Sequence, residues 1–340
     1  MAYIALSKSN FFHNLSSVQK RVGDKNKIAV VLKDNAYGHG LREMAQMAQE
    51  YGISKAVVKD EREANEIVEY FSQVITLQNV SHAVHSKISQ IANCLSDLEN
   101  ITPHSKIELK IDTGMHRNGV VENELEQALK LIVKNKLILN GIMTHFSSTD
   151  VLGNDTFLQL ECFKRVREEV IILCEKYALP PPLFHCCNSG ATFRLEEHLD
   201  MVRVGIGIYG YAEYDEALGL APDLKPVMSL HAKKLSTRKL DQGERVGYGG
   251  ACELEKEGLI STYDIGYGDG FIRLSEKHDY TTPSGAKILG RVSMDSFGAS
   301  GEADELCVFD DVRTLATLGN TITYDILVKL HDYIPKKIIH

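Results

Sequence analysis

The chain has 340 residues, of which 44% are hydrophobic and 25% charged, and its formal net charge at pH 7 is −8. This is the composition of an ordinary globular protein, long enough for one large domain and a smaller one. Because the charge is negative and no cluster of five or more Lys/Arg occurs, nucleic acid and anionic membranes are not expected partners.

Targeting and redox features favour a cytoplasmic protein. The first residues, MAYIALSKSNFF, lack the basic and apolar regions of a signal peptide, and no apolar run approaches the ~18 residues of a membrane span. Seven cysteines without a CxxC pair predict neither a disulfide framework nor a zinc site. We therefore expect a reduced, cytoplasmic protein that binds no metal.

The first two-thirds of the chain alternate between helix and strand patterns. Apolar residues at helical spacing predict a helix over 9–22, and the continuous apolar run KIAVVLK predicts a buried strand. Further helices are predicted over 41–52, 60–71 and 155–178. Eight strands are predicted, the fourth being the weakest, at 28–33, 53–59, 73–78, 82–85, 106–111, 137–145, 183–188 and 201–209. This alternation predicts an α/β fold, a (β/α)8 TIM-type barrel, with an open doubly wound sheet as the alternative.

Beyond Ala221 the pattern changes to short strand-like runs divided by Gly, Asp and Ser. No amphipathic helix of more than two turns is evident before residues 324–331. This part predicts a smaller all-β domain. We therefore expect two domains that pack together, a barrel over 1–221 and a β domain over 222–340.

Polar residues follow several of the predicted barrel strands. In a parallel α/β barrel the active site lies at the carboxyl ends of the strands, so these residues are the candidates for chemistry. They are Lys33, Lys110, Asp112, Arg117, His145, Asn188, Ser189 and Arg203. Their convergence on one rim is a stronger signal than any one of them.

Lys33 ends the apolar run AVVLK and is followed by the loop DNAYGHG. A lysine desolvated at a barrel mouth has a lowered pKa and can attack an aldehyde. The common biological aldehyde cofactor is pyridoxal phosphate. On spacing alone, a structural lysine remains the more frequent alternative.

Two glycine-bearing loops, at 188–190 and 205–207, follow the last two strands. Barrels commonly bind phosphate there through backbone N–H groups and a hydroxyl, which Ser189 supplies. Arg203 lies just before the second loop, where a guanidinium could donate a hydrogen bond to a ring nitrogen without protonating it. An ion pair of Arg203 with Asp200 is the alternative.

Taken together, these motifs resemble the alanine racemase family. VVLKDNAYGHG resembles its pyridoxal-phosphate lysine signature, with Asp34 where Ala is usual. The motifs LKIDTGMHRNG, THF, HCCNSG, VRVGIGIYG, ERVGYGG, IGYGDGF, GRVSMD and GNTITYDIL follow in the family's order, and the match runs from Tyr3 to about Lys329. The resemblance implies a barrel with a carboxy-terminal β domain and an enzyme that interconverts L- and D-alanine, supplying D-alanine for peptidoglycan.

The resemblance also implies a two-base mechanism. Lys33 would hold pyridoxal phosphate as a Schiff base and remove the α-proton of D-alanine, and Tyr248 would act on the opposite face for L-alanine. Because a free tyrosine has a pKa near ~10, such a base needs a neighbour that stabilises phenolate. His145, with Arg203 behind it, matches that neighbour. In the family the second base comes from the partner subunit, which implies a homodimer with a shared active site; without the resemblance, Tyr248 would be an ordinary turn residue.

Further contacts are implied in the same way. Arg117 matches a contact to the cofactor's phenolic oxygen and the substrate carboxylate, and the Met294 backbone matches a substrate contact. Lys110 matches a lysine that is carbamylated in many members, with an ion pair to Asp112 as the alternative. Residues that match phosphate contacts or shape their loop are Tyr37, Ser189, Gly205, Ile206 and Tyr324. Residues that match the lining of the access channel and its surroundings are Tyr267 and Asp295.

The chain departs from the family pattern at several positions that carry no catalytic group. Besides Asp34, they are Gly190, Gly268 and Ser293, where Ala, Ala and Cys are usual, and a tail that lacks the Arg-x-Pro-Arg ending. Three other functions stay open: a non-catalytic pyridoxal-phosphate carrier, which generally lacks the β domain, a barrel-plus-β decarboxylase, which normally keeps a carboxylate near the pyridine nitrogen, and a racemase for serine or larger amino acids.

Overall fold

Two sheets organise the chain in a computed structural model that describes residues 1–78, 85–275 and 277–340. The first strand of the chain, β1 (Tyr3–Ser7), belongs to the second sheet. The first sheet has eight parallel strands, which are β2 Ile28–Val31, β3 Lys55–Val58, β4 Gln73–Thr76, β5 Ile88–Ala92, β6 Lys106–Lys110, β7 Ile138–Met143, β8 Leu183–His185 and β9 Val202–Val204.

These eight strands form a nearly closed barrel. Each strand from β2 to β8 pairs with the next, and β9 pairs with β2. Hydrogen bonds also join the ends of β8 and β9, from the Asp200 N–H to the Phe184 carbonyl (3.0 Å) and from the Arg203 N–H to the Cys187 carbonyl (2.9 Å). The predicted (β/α)8 barrel is confirmed, and the open doubly wound alternative is wrong.

Helices connect most of the barrel strands. They are α1 Lys8–Val22, α2 Leu41–Tyr51, α3 Glu61–Ile67, α4 Leu95–Asn100, α5 Leu125–Lys134, α6 Asp155–Lys176 and α7 Ser189–Arg194. The longest, α6, buries Leu160, Phe163, Val166 and Val170, a spacing of three and four residues that is typical of one helix face. None of the helices formed by the described residues is both long and apolar enough to span a bilayer.

The fourth barrel strand lies further along the chain than the sequence pattern predicts. Of the predicted segment 82–85, residues 82–84 lie outside the described residues, and His85 is not in a strand. The strand observed is β5, whose sequence is ISQIA. Ser89 and Gln90 are buried in this strand. These polar residues interrupt the apolar run that is expected of a strand covered on both faces.

The second sheet contains both ends of the chain. Its strands, besides β1, are β10 Met228–Leu240, β13 Gly258–Tyr263, β14 Ile288–Leu289, β15 Phe297–Ser300, β16 Glu305–Phe309 and β17 Lys336–Ile339. β1 pairs antiparallel with β10 and parallel with β17. A separate hairpin joins β11 (Arg245–Val246) to β12 (Cys252–Glu253), and two short helices follow, α8 Arg313–Leu318 and α9 Thr323–Val328.

Contacts divide the chain into two units. One comprises Phe12–Ala36 and Met44–Lys225, and the other comprises Met1–Phe11, Tyr37–Glu43 and Pro226–His340. The amino-terminal strand thus folds with the carboxy-terminal half, which the local pattern of YIALS could not show. The predicted domain boundary after residue 221 stays a prediction.

Candidate active site

Lys33 begins an unusual turn after strand β2. The next four residues, Asp34 to Tyr37, have φ values of 55, 53, 52 and 54°, in the left-handed region that non-glycine residues rarely adopt. The Ala36 N–H bonds the Leu32 carbonyl (2.8 Å), and the Asn35 N–H bonds the buried Glu63 carboxylate (2.9 Å). Strained backbone of this kind concentrates at functional sites, and here it sets the direction of the backbone directly after Lys33.

Asp34, the first departure from the family pattern, pairs with two lysines. Its Oδ1 accepts a hydrogen bond from Lys59 Nζ (3.0 Å), and its Oδ2 lies 3.7 Å from Lys33 Nζ. The Lys33 side chain is 37% exposed. The Lys33 amine therefore lies partly open to solvent at the barrel rim, next to an acidic partner.

Four cations of the rim act on one imidazole. Burial, followed by the charges of Arg203, Arg117, Lys110 and Lys33, lowers the pKa of His145 to about 3. Because Coulomb interactions weaken with distance, the effect of all four charges on His145 indicates that the four predicted cations lie near one another. His145 is neutral at pH 7, so it could assist a phenolate through a hydrogen bond but not through a positive charge.

Lys110 is buried at the end of β6 and donates a hydrogen bond to Asn118 Oδ1. The alternative predicted for it, an ion pair with Asp112, is not what the structure shows. The Asp112 carboxylate instead accepts the N–H groups of Gly114 and His116, each at 3.0 Å. Burial, and then the charges of Arg117 and Arg203, lower the pKa of Lys110 to about 8.

The two glycine-bearing loops meet at Ser189. Its hydroxyl accepts the N–H groups of Gly205 (3.0 Å) and Gly207 (3.2 Å), and it is nearly buried. Between those glycines, Ile206 begins a short 3-10 helix, Ile206–Tyr209. The two backbone donors thus converge on the Ser189 oxygen, which orients the hydroxyl so that its O–H is the donor for a phosphate oxygen.

Gly190, another departure, lies against the loop that follows β7. A Cβ atom at residue 190 would lie 2.2 Å from Thr149 Oγ1 and 2.8 Å from Thr149 Cβ. The Tyr214 hydroxyl also donates to the Gly190 carbonyl (3.0 Å). The close approach of Thr149 therefore accounts for glycine at this position.

The Gly190→Ala variant is expected to lower the free energy of unfolding by about 1–3 kcal/mol, the usual cost of an overpacked site. Urea unfolding followed by circular dichroism measures this change. Gly258→Ala is the matched control, because a Cβ atom there meets nothing within 4 Å. Equal unfolding midpoints for the two variants would contradict the prediction.

Arg203 is buried and held by the barrel. Its NH1 donates to His185 Nδ1 (2.6 Å) and the His185 carbonyl (3.0 Å), and its NH2 donates to the carbonyls of Thr144 (2.6 Å) and Cys186 (3.4 Å). The alternative ion pair with Asp200 is wrong, since the Asp200 carboxylate accepts the Phe184 N–H (2.8 Å). A guanidinium has five N–H donors, and no described residue accepts the one on Nε.

Two residues behind Arg203 were not predicted from the sequence. His185 ends β8 and contacts Glu108 of β6, with 3.1 Å between His185 Nε2 and Glu108 Oε2, and both side chains are fully buried. Glu108 precedes Lys110 by two residues, so strand alternation alone places both on one face. A charged residue on the same strand face as Lys110 is the sequence signal from which Glu108 could have been predicted.

Tyr248 lies at the tip of the β11–β12 hairpin, in the other unit. The turn Tyr248–Gly250 follows Gly247, and the glycines at 247, 249 and 250 have φ values of 75, 70 and 58°. A left-handed path of this kind favours glycine, which explains the VGYGG sequence. The Tyr248 side chain is 67% exposed within this chain.

The segments that carry Tyr267 and Met294 are hydrogen-bonded to each other within the same unit. The Gly268 N–H bonds the Met294 carbonyl (2.7 Å), and the Tyr267 N–H bonds the Ser293 carbonyl (3.1 Å). A Cβ atom at residue 268 would lie 2.9 Å from the Met294 oxygen, so this departure from the usual Ala permits the contact. Met294 and Asp295 are exposed.

Tyr37 and Tyr324 also lie together, with ring centroids 5.8 Å apart. Gly38, with φ +80°, is required next to them, since a Cβ atom there would lie 2.2 Å from the Leu327 carbonyl oxygen of α9. The loop YGHG therefore packs against the helix that carries the second tyrosine.

Comparison with known proteins decides the family. The alanine racemase N-terminal domain matches residues 6–213, and the alanine racemase C-terminal domain matches residues 227–338. The chain belongs to the alanine racemase family. An alanine racemase of a Nitratiruptor species is 44% identical over 336 residues, which are 99% of each chain, and one of Campylobacter concisus is 42% identical over the full length of both.

Solved structures of alanine racemases share the fold. One from Acinetobacter baumannii has a TM-score of 0.83 and 26% identity and covers 100% of this chain and 99% of its own. One from Bacillus anthracis with bound L-Ala-P has a TM-score of 0.87 and 23% identity, covering 100% and 95%. The resemblance seen in the motifs is thus confirmed, and membership makes the chain a pyridoxal-phosphate-dependent racemase.

The barrel residues suit that cofactor. The Ser189 hydroxyl, which accepts two backbone N–H groups, provides its O–H as a donor for a phosphate oxygen, and Arg203 Nε provides a donor for a ring nitrogen. Lys33 provides an amine at the same rim for an aldehyde. The donor set therefore fits a phosphorylated pyridine aldehyde.

Proposed function

We propose that this chain interconverts L-alanine and D-alanine with pyridoxal phosphate and supplies D-alanine for peptidoglycan. The observation that carries the proposal is the anchored Arg203 guanidinium. Its NH1 and NH2 groups are engaged by the barrel, and its remaining donor is on Nε. An arginine near the pyridine nitrogen, where a decarboxylase keeps a carboxylate, limits electron withdrawal and favours return of the proton over other reactions of the substrate.

Each group of the barrel rim has a proposed task. When bound, pyridoxal phosphate supplies an aldehyde that condenses with amines and a ring that withdraws electrons from the substrate Cα. Lys33 would hold the aldehyde, and Arg117 would bind the phenolic oxygen and the substrate carboxylate. Residues proposed for the phosphate and its loop are Tyr37, Ser189, Gly205, Ile206 and Tyr324.

Inversion at Cα requires two bases on opposite faces, since one removes the proton and the other returns it. We assign these roles to Lys33 Nζ for D-alanine and to the Tyr248 hydroxyl for L-alanine. His145, neutral at pH 7, would donate or accept a hydrogen bond next to the tyrosine oxygen. The Met294 backbone would bind the substrate, and Tyr267 and Asp295 would line its access route.

A homodimer in the cytoplasm completes the proposal. Tyr248 is 67% exposed at the tip of a two-stranded hairpin, which leaves its hydroxyl available to a second copy of the chain. The family pattern assigns the second base to the partner subunit, so each site would contain Lys33 of one subunit and Tyr248 of the other. A non-catalytic carrier is disfavoured because the C-terminal domain match spans residues 227–338.

Lys110 is proposed to carry a carbamate that orients Arg117. The neutral amine adds CO2 and releases a proton, and a pKa of about 8, against an ordinary value of 10.5, makes that form available near pH 8. With 13C-bicarbonate at pH 8.5 (about half a unit above that pKa), we expect a carbamate carbon signal in 13C NMR, weakening as the pH falls below 8. Lys110→Gln should lack it, and Lys106→Gln, on the same strand, should keep it. A signal that persists in Lys110→Gln would contradict the assignment.

The proposed activity is tested on the purified protein. Absorption spectra before and after borohydride, followed by peptide mapping, should show the cofactor attached at Lys33. Incubation with L-alanine in deuterated water should then give loss of optical rotation together with deuterium at Cα. A protein that binds no pyridoxal phosphate when it is supplied would overturn the proposal, and a bound cofactor without racemisation would favour the carrier or another substrate.

A further inference from the structure

A belt of polar side chains crosses the barrel interior below the rim. At its centre is the fully buried carboxylate of Glu108. Its Oε1 accepts hydrogen bonds from Gln73 (3.2 Å), Ser89 (2.8 Å) and Asn140 (2.6 Å), which lie on three other strands. A carboxylate this far from water is stable in its charged form only when donors surround it, and this one has donors on both oxygens.

The fourth donor is His185, and its tautomer follows from its two neighbours. An arginine has only donors, so the contact from Arg203 NH1 (2.6 Å) requires an unprotonated Nδ1 on the ring. The proton of the neutral ring is then on Nε2, which lies 3.1 Å from Glu108 Oε2. The chain of contacts therefore runs from carboxylate to imidazole to guanidinium, with each donor facing an acceptor.

One contact of the Arg203 guanidinium, from NH1 to His185 Nδ1, belongs to this series of hydrogen bonds. The remaining contacts of its terminal nitrogens are to carbonyls of Thr144, His185 and Cys186. Those carbonyls hold the group in place but carry no negative charge. The nearest counter-charge along the hydrogen-bond chain is Glu108, reached through the imidazole.

We propose that Glu108 is a positioning residue, which fixes the Nε2–H tautomer of His185 and thereby orients Arg203 toward the ring nitrogen of the cofactor. This inference rests on the proposed racemase function and deepens it. His185 contacts Arg203, Glu108 contacts His185, and the Glu108 charge in the barrel core orients the guanidinium through the imidazole. Glu108 has no proposed contact with substrate or cofactor, and it acts only through His185 and Arg203.

The first test reads the tautomer directly in the wild-type protein. 15N-histidine labelling with long-range 1H–15N correlation distinguishes a protonated from an unprotonated ring nitrogen, and a His185→Asn variant identifies the signal by its loss. We expect Nδ1 to be unprotonated and Nε2 to carry the proton. A proton on Nδ1 would overturn the proposal. This measurement needs neither turnover nor bound cofactor, so it stands even if the proposed racemase function fails.

The second test removes the charge and keeps the side-chain size, in Glu108→Gln. As the belt is arranged, either orientation of the new amide places two N–H donors against each other, at His185 or at the Oε1 partners. We expect kcat to fall roughly 10- to 100-fold, as when an outer partner that orients a functional group is lost. The KM for alanine should change by less than about threefold, because substrate binding is untouched. The absorption spectrum of the bound cofactor should also change, since it reports the environment of the ring nitrogen.

Ser89→Ala is the matched control, because it removes a donor from Oε1 and leaves the charge and the His185 contact in place. It should keep the wild-type spectrum and kcat. A Glu108→Gln protein that folds, binds cofactor and matches Ser89→Ala in both readouts would overturn the proposal.

A third variant acts on the same bond without changing Glu108. A Cβ atom at Gly141 would lie 1.8 Å from Glu108 Oε2 and 3.2 Å from His185 Nε2. Gly141→Ala should therefore separate these two atoms and reproduce the kinetic and spectral changes of Glu108→Gln. If Glu108→Gln does not fold, Gly141→Ala takes its place as the test. A wild-type kcat and a wild-type cofactor spectrum in Gly141→Ala would then overturn the proposal. Absence of racemisation in the wild type would instead overturn the proposed function. The tautomer measurement would then remain as the test of the Glu108–His185–Arg203 contacts.

Discussion

The Lys33→Ala variant is expected to lose covalent attachment of pyridoxal phosphate and to racemise alanine more than roughly 10³-fold more slowly than the wild type, since one group supplies both the amine and a base. The left-handed turn after residue 33 and the Glu63 contact are formed by the backbone, so the fold should persist. Absorption after borohydride and a polarimetric rate measurement give the two readouts.

Lys59→Ala is the control for Lys33→Ala. Lys59 follows the next barrel strand and shares Asp34 as an ion-pair partner, but it has no proposed role in the chemistry. It should keep the reducible chromophore and most of the rate. A Lys33→Ala protein that still becomes covalently labelled on borohydride reduction would place the cofactor on another lysine and refute the assignment.

The Tyr248→Phe variant is expected to separate the two directions of proton transfer. Without the hydroxyl there is no base on the L face, and racemisation should fall by roughly 10²–10⁴-fold, the usual contribution of a positioned acid or base. Lys33 remains, so D-alanine should still exchange its α-proton with deuterated water, while L-alanine should not. Proton NMR of each enantiomer, incubated separately in deuterated water, measures this asymmetry.

Tyr177→Phe tests whether loss of any tyrosine hydroxyl would have the same effect. The Tyr177 hydroxyl bonds Glu126, at 2.7 Å, just after the end of helix α6, and has no place in the proposed chemistry. Its exchange rates should equal those of the wild type for both enantiomers. If Tyr248→Phe slowed exchange of D-alanine as much as that of L-alanine, the hydroxyl would act on binding or folding and not as the L-side base.

Helix α6 and the carboxyl ends of the barrel strands show how much the chain reveals locally. The helix follows from apolar residues three and four positions apart, and the rim residues follow from the rule that functional groups come after buried strands. The fourth barrel strand was misplaced because polar residues inside it, Ser89 among them, have partners that lie elsewhere in the chain. A local pattern cannot show that a buried polar residue has its hydrogen bond satisfied.

The barrel, the family and the identity of the groups at the rim can be predicted from the amino-acid sequence, because apolar periodicity and motif spacing are properties of neighbouring residues. Three further features are visible only in the folded chain: β1 joins the second sheet, Asn118 and not Asp112 is the partner of Lys110, and Glu108 and His185 lie behind Arg203. The β1 pairing and the Glu108–His185 contact join residues that are far apart in the chain. The Lys110 contact is with one of two candidate partners that are near it in sequence. Such choices depend on which side chains the folded backbone brings within hydrogen-bond distance, and composition and spacing do not encode that distance.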